Sequence, residues 1–147
     1  MAGITAKLTT EGLDAAIAKL SRVANFEIAV LGDEAGALLE SSSRERFESK
    51  TAPDGTPWAD WSQEYAATRK GHHSLLVGEG DLLDSLQSFS TGGEVIVGSN
   101  LIYAAIQNLG GEEVGKAIPE RPFLGVSTMD ELDLKDLVKG HLEGLIQ

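Results

Sequence analysis

Few residue types in this chain could do chemistry, and they crowd into one short run. Arg69-Lys70-Gly71-His72-His73-Ser74 places two adjacent histidines beside a serine. Adjacent residues on a regular element point in different directions, so His72 and His73 can chelate one metal ion only with a third ligand close by. A Ser–His–Asp reading through Ser74 fails, because neither a nucleophile elbow nor an oxyanion-hole motif accompanies it. The run reads as an exposed loop carrying ordinary histidines. A small metal-dependent hydrolase built on His72, His73 and nearby acids remains as an alternative from a different functional class. Gly78-Glu79-Gly80 and Gly92-Gly93 do not make a phosphate cradle, since GxxxxGK[ST] is absent and no basic residue is near. No catalytic residue, metal ligand or cofactor is expected, and the chain does not read as an enzyme.

Charge limits the partners. Twelve Lys and Arg against 23 Asp and Glu give a net charge of −11. Affinity for DNA comes mostly from cations that neutralise phosphates, so a clamp on nucleic acid is disfavoured. Between Lys70 and Lys116 no Lys or Arg occurs, whereas Glu79, Asp81, Asp84, Glu94, Glu112 and Glu113 fall inside that stretch. With no cysteine, disulfides, thiolate chemistry and a zinc ribbon drop out. No stretch approaches the ~20 apolar residues of a membrane span, and the first residues lack an apolar core of signal-peptide length. The expectation is a protein made in a cytoplasm, with no membrane partner.

The elements that would position these residues follow from periodicity. A length of 147 residues suggests one domain, with an N-terminal strand and helices over 1–50, a loop and sheet core over 51–125 and a C-terminal helix over 128–146. Residues 4–8 alternate as a short strand, and Leu13, Ala16, Ile17, Leu20, Val23 and Ala24 follow a helical period. After a break at Asn25, Ile28, Leu31, Ala35, Leu38, Leu39, Ser42 and Arg46 trace the stripe of a longer helix ending near Ser49. Ala29, Gly32 and Gly36 form a small-residue edge that suits either helix-on-sheet packing or a contact between subunits. Pro53-Asp54-Gly55 is a turn with its mechanism visible: a fixed φ, a side-chain acceptor and a residue that takes positive φ. Trp58 and Trp61 follow, as core plugs or as a recognition surface, and Ser62 caps a short helix through Arg69. Asp81 caps a turn of helix carrying Leu82, Leu83 and Leu86. Residues 86–98 form an antiparallel pair around Gly92-Gly93, and Tyr103 starts a helix that Gly110-Gly111 end. Residues 118–125 are extended and stiffened by Pro119 and Pro122, with Arg121 expected to meet an acid. Thr128 to Glu131 reads as a capping box for a last helix with Leu134, Leu137, Val138, Leu142 and Leu145 inward. The fold class is α+β: a small antiparallel sheet packed by a long helix and flanked by N- and C-terminal helices.

These motifs, in their order, resemble the phage virion morphogenesis family, the tail-completion proteins of Mu-like tailed phages. The resemblance rests on Arg46-Phe47, then Pro53, Asp54, Gly55 and Trp58, then Gly80-Asp81-Leu82 to Ser85-Leu86. Val97-Gly98-Ser99, Tyr103-Ala104 to Gly110-Gly111, and Ile118-Pro119 to Gly125 complete it, over residues 40–145. One departure is Gln107, where such proteins usually carry a histidine. The resemblance implies a structural protein of the head–tail junction or tail end, which completes the tail and lets a filled head dock. Related proteins form rings, often hexameric, so the implied partners are copies of itself, the tail tube and the head connector. DNA would pass through without specific binding, and acids of residues 71–115 lining the ring would repel it. The implied location is the host cytoplasm during assembly and then the virion. Phe47, Trp58, Trp61, Tyr103, Arg121 and Phe123 are the residues expected at interfaces. A head-side connector or neck adaptor is the alternative within the same setting.

Overall fold

The computed structural model describes residues 3–9, 17, 28–91 and 93–146. Strand β1 spans Ile4–Thr9, β2 Gln87–Thr91 and β3 Glu94–Ser99. The sheet order is β1-β3-β2 with both pairings antiparallel, so the hairpin of β2 and β3 receives the N-terminal strand on its far side. Helices are α1 (Ile28–Ser49), α2 (Gln63–Ala66), α3 (Asp81–Asp84), α4 (Ala104–Leu109) and α5 (Thr128–Ile146), with a 3-10 turn at Glu112–Val114. This is the expected α+β arrangement. The periodic helix expected over residues 13–24 lies outside the described residues, apart from Ile17, which is helical and buried with Leu31.

Alternation along β3 buries Val95 and Val97 on the face that carries α1. The other face exposes Phe89 of β2 and leaves Ile96 half-buried, in register with Phe89 and Lys7. Gly32 and Gly36 explain how closely helix and sheet approach. A Cβ on Gly32 would stand 3.1 Å from Cβ of Ser90, and one on Gly36 3.2 Å from Cβ of Ser88. The small-residue edge of α1 therefore packs on β2 of the same chain, while Ala29 is exposed.

The core sits between α1, the sheet and the segment 118–125. Phe47 at the end of α1 meets Trp58 edge-on with centroids 5.6 Å apart and Phe123 at 5.4 Å. Such aromatic pairs add roughly 0.5–1.5 kcal/mol each beyond the area they bury. One ion pair is shut inside with them. Arg46 Nη2 donates to Asp130 Oδ2 at 2.7 Å, with side chains 6% and 5% exposed. Nη1 donates to the carbonyls of Phe123 (2.9 Å) and Gly125 (3.1 Å). Asp130 also accepts from Ser127 N, while Ser127 Oγ accepts from Asp130 N. The capping box of α5 thus begins at Ser127, one residue earlier than the Thr128 expectation, because Asp130 is drawn inward to Arg46 and takes the third position.

Two further boundaries differ. The helix after Ser62 closes at Ala66 rather than running through Arg69, since Ser62 caps it through Tyr65 N but its residues bury nothing. At α3 the capping position is Gly80 at φ 95°, and Asp81 is the first helical residue. The turn at 53–55 forms as read: Thr56 N donates to Asp54 Oδ1 at 2.9 Å, and Gly55 adopts φ 87°.

Candidate functional site

A cleft of about 470 Å³ opens between the loop after Trp58, the 69–82 loop and helix α4. Its walls include Trp61, Tyr65, Arg69, Leu76, Tyr103 and Arg121. Trp61 meets Tyr65 in a T-shape at 6.0 Å, and Arg69 lies 4.7 Å above the Tyr65 ring. Tyr65 (49% exposed) and Tyr103 (43%) present their rings to solvent. Burial, reinforced by the Asp81 carboxylate, pushes the Tyr103 phenol upward, which keeps it a hydrogen-bond donor.

The back of the cleft is the extended segment 118–125, a strap with few partners of its own in regular structure. Gly111 N donates to Ile118 O and Arg121 N to Gln107 O. Asn108, buried on α4, accepts from both Phe123 N (3.0 Å) and Leu124 N (3.1 Å) through one side-chain oxygen. Trp58 Nε1 donates to Pro122 O at 2.8 Å. Among the described residues Arg121 forms no ion pair with a carboxylate. Its guanidinium donates to the carbonyls of Ala59 (2.8 Å) and Asp60 (3.1 Å). The expected acid partner belongs instead to Arg46, whose distance from Asp130 in sequence hid the pair. Asn108 also went unnoticed, because a polar residue on a short helix carries no periodic signal.

The six expected interface residues separate into two sets. Phe47, Trp58, Arg121 and Phe123 are buried within the chain, at 1%, 5%, 7% and 0% exposure. These four shape the strap and core of the chain. Trp61 and Tyr103 face the cleft. Beside them the segment 102–114 exposes Ile102 (79%), Leu109 (65%) and Val114 (66%), large apolar groups that the sequence pattern did not single out.

The histidine loop lies at the cleft's edge. Glu79 Oε1 is 2.9 Å from His73 Nε2, 3.5 Å from His72 Nε2 and 3.7 Å from Lys70 Nζ. The hydrogen bond from His73, then that from His72 and the charge of Lys70, hold Glu79 below the usual carboxylate range. The third partner that the two histidines lacked on paper is therefore Glu79, brought back by the tight turn in which Ser74 and Val77 exchange both backbone hydrogen bonds. Of the other acids of the cation-free stretch, Asp81, Asp84, Glu112 and Glu113 are exposed, while Glu94 pairs with Lys7 at 2.6 Å. Among the described residues no helix is long and apolar enough to cross a membrane.

The model of the phage virion morphogenesis family matches residues 8–143. The chain is 31% identical over 120 residues to the "Putative capsid assembly protein G" of Escherichia phage Mu, covering 76% of this chain and 77% of that protein. It is 38% identical over 76 residues to the "Mu-like prophage FluMu G protein 2" of Haemophilus influenzae, covering 49% of this chain and 54% of that one. No solved structure gives a significant match.

Proposed function

Because the chain belongs to the phage virion morphogenesis family, we propose that within virion assembly it completes the tail and joins it to the head as a ring of identical subunits. The observation that carries this reading is the exposed apolar segment 102–114 beside an aromatic-lined cleft. Ile102, Leu109 and Val114 are too exposed to serve this chain's own core. A ring needs two different patches that fit one another around a closing rotation. The segment 102–114 is one such patch, and the uncovered sheet face around Phe89 (65% exposed) is a second, on separate elements. Trp61 and Tyr103 supply the aromatic groups that anchor interfaces. The subunit then acts by fit and charge rather than by turning over a substrate. Its exposed carboxylates at Asp81, Asp84, Glu112 and Glu113 suit a surface past which DNA slides, since like charge prevents sticking. In this reading its neighbours are further copies of itself, the tail tube and the head connector.

The test is the solution mass of the purified chain beside an Ile102→Asp, Leu109→Asp variant. The wild type should form a closed oligomer, and the variant should be a monomer with an unchanged melting temperature. A wild type that stays monomeric in the presence of tail tubes rules out the ring. A head-side connector or neck adaptor is the second reading, favoured by the phage Mu relative, whose name assigns that protein to capsid assembly.

A further inference from the structure

We propose that His72, His73 and Glu79 bind a single divalent transition-metal ion of the zinc class, a site independent of the assembly role. One donor atom from each of the three side chains lies within 4.8 Å of the other two. The separations of 2.9 Å and 3.5 Å between Glu79 Oε1 and the two ring nitrogens bracket what a single ion requires. Donors at about 2.0–2.1 Å from a tetrahedral zinc stand roughly 3.3 Å apart. Two imidazoles and one carboxylate select zinc, cobalt, nickel or copper over calcium and magnesium, which prefer oxygen throughout.

The site is built rather than accidental. Ser74 and Val77 close the turn between the histidines and Glu79. Lys50 Nζ pins that turn to the end of α1 by donating to Ser74 Oγ (2.9 Å) and Leu75 O (3.0 Å). Leu76 holds φ 59° to make the turn, a left-handed conformation that a side chain adopts only when its surroundings impose it. The His73 side chain is 8% exposed and packs edge-on against the His72 ring at 4.5 Å, so one ligand is already fixed. Lys70, 3.7 Å from Glu79 with a side chain 70% exposed, is the cation that an arriving ion displaces. A bound ion would fasten the 72–79 loop to the start of α3, along one wall of the cleft.

The experiment is isothermal titration calorimetry of the untagged full chain with zinc chloride, paired with cobalt(II) absorption spectroscopy. The wild type should bind one ion per chain and show tetrahedral cobalt bands. Glu79→Gln and His73→Ala should each weaken binding by at least about tenfold, as loss of a ligand must exceed loss of a supporting contact. Lys70→Ala should tighten it. His141→Ala, remote in sequence and 2.6 Å from Glu34, should leave it unchanged. Melting in chelator checks that the variants are folded, and His72→Ala, whose side chain is 61% exposed, replaces His73→Ala if the latter is not. Absence of binding by the wild type at ~100 µM zinc, or binding that survives both Glu79→Gln and the histidine variant, overturns the assignment.

Discussion

Replacing Asp130 by Ala should be among the most damaging single changes outside the aromatic core. The Arg46–Asp130 pair is almost sealed from solvent, at 6% and 5% side-chain exposure, and burial pulls the Arg46 guanidinium below its ordinary value. In Asp130→Ala, Arg46 keeps its bonds to the carbonyls of Phe123 and Gly125 and to Ser42 Oγ but loses its only buried counter-charge among the described residues. Removing one member of a buried pair costs about 3–5 kcal/mol, and the lost cap at Ser127 N adds about 1 kcal/mol. The three remaining acceptors soften the first figure, so about 3–4 kcal/mol is the expected net loss. For a chain of this length that corresponds to a fall in Tm of roughly 10 °C. Asp130→Asn separates the two parts: its amide oxygen still caps α5, so whatever it loses is the charge alone. The assay is thermal and urea denaturation followed by circular dichroism, closed as a double-mutant cycle with Arg46→Met. An Asp130→Ala variant melting within about 2 °C of wild type would refute the reasoning that this pair locks the strap to α5.

Other outcomes follow from the same geometry. Trp58→Ala should cost about 3–5 kcal/mol of stability, because the ring is buried against Phe47 and bonds Pro122 O, whereas Trp61→Ala should leave the melting curve nearly in place and reduce assembly; chemical denaturation and in vitro head–tail joining read the two. Asn108→Ala should cost about 2–4 kcal/mol by stranding two buried donors, Phe123 N and Leu124 N, measurable as a lower urea midpoint with unchanged slope. The hydrogen bond from Thr56 N holds Asp54 below the usual carboxylate range, so its contribution is complete above the unfolded value and fades as acid protonates it. Asp54→Ala should therefore lower Tm at neutral pH, with the difference from wild type shrinking as the pH falls below the unfolded aspartate value of about 3.9.

Regular, repeating signals were legible in the sequence and singular contacts were not. The stripe from Ile28 to Arg46, the alternation in β3 and the glycines at Gly55 and Gly110 each express a local rule, and α1, the hairpin and the turns stand where those rules put them. The order of motifs from Arg46-Phe47 to Gly125 was enough to give the family. What could not be read were pairings across long stretches of chain. Arg46 finds Asp130, Asn108 finds the strap, and Glu79 returns to the histidines only because the 74–77 turn reverses the chain. The same holds for Phe47, Trp58 and Phe123, which were expected at interfaces and are buried within the chain. Aromatic residues beside turns look alike whether they anchor a neighbour or fill the core, and only the packing around them decides.

The central claim, that this chain joins phage parts by fit rather than by catalysis, is tested most directly by deleting its gene and imaging the lysate by electron microscopy. Filled heads and separate tails should accumulate, and an added wild-type chain should join them. Complete, infectious particles in the deletion would contradict the claim.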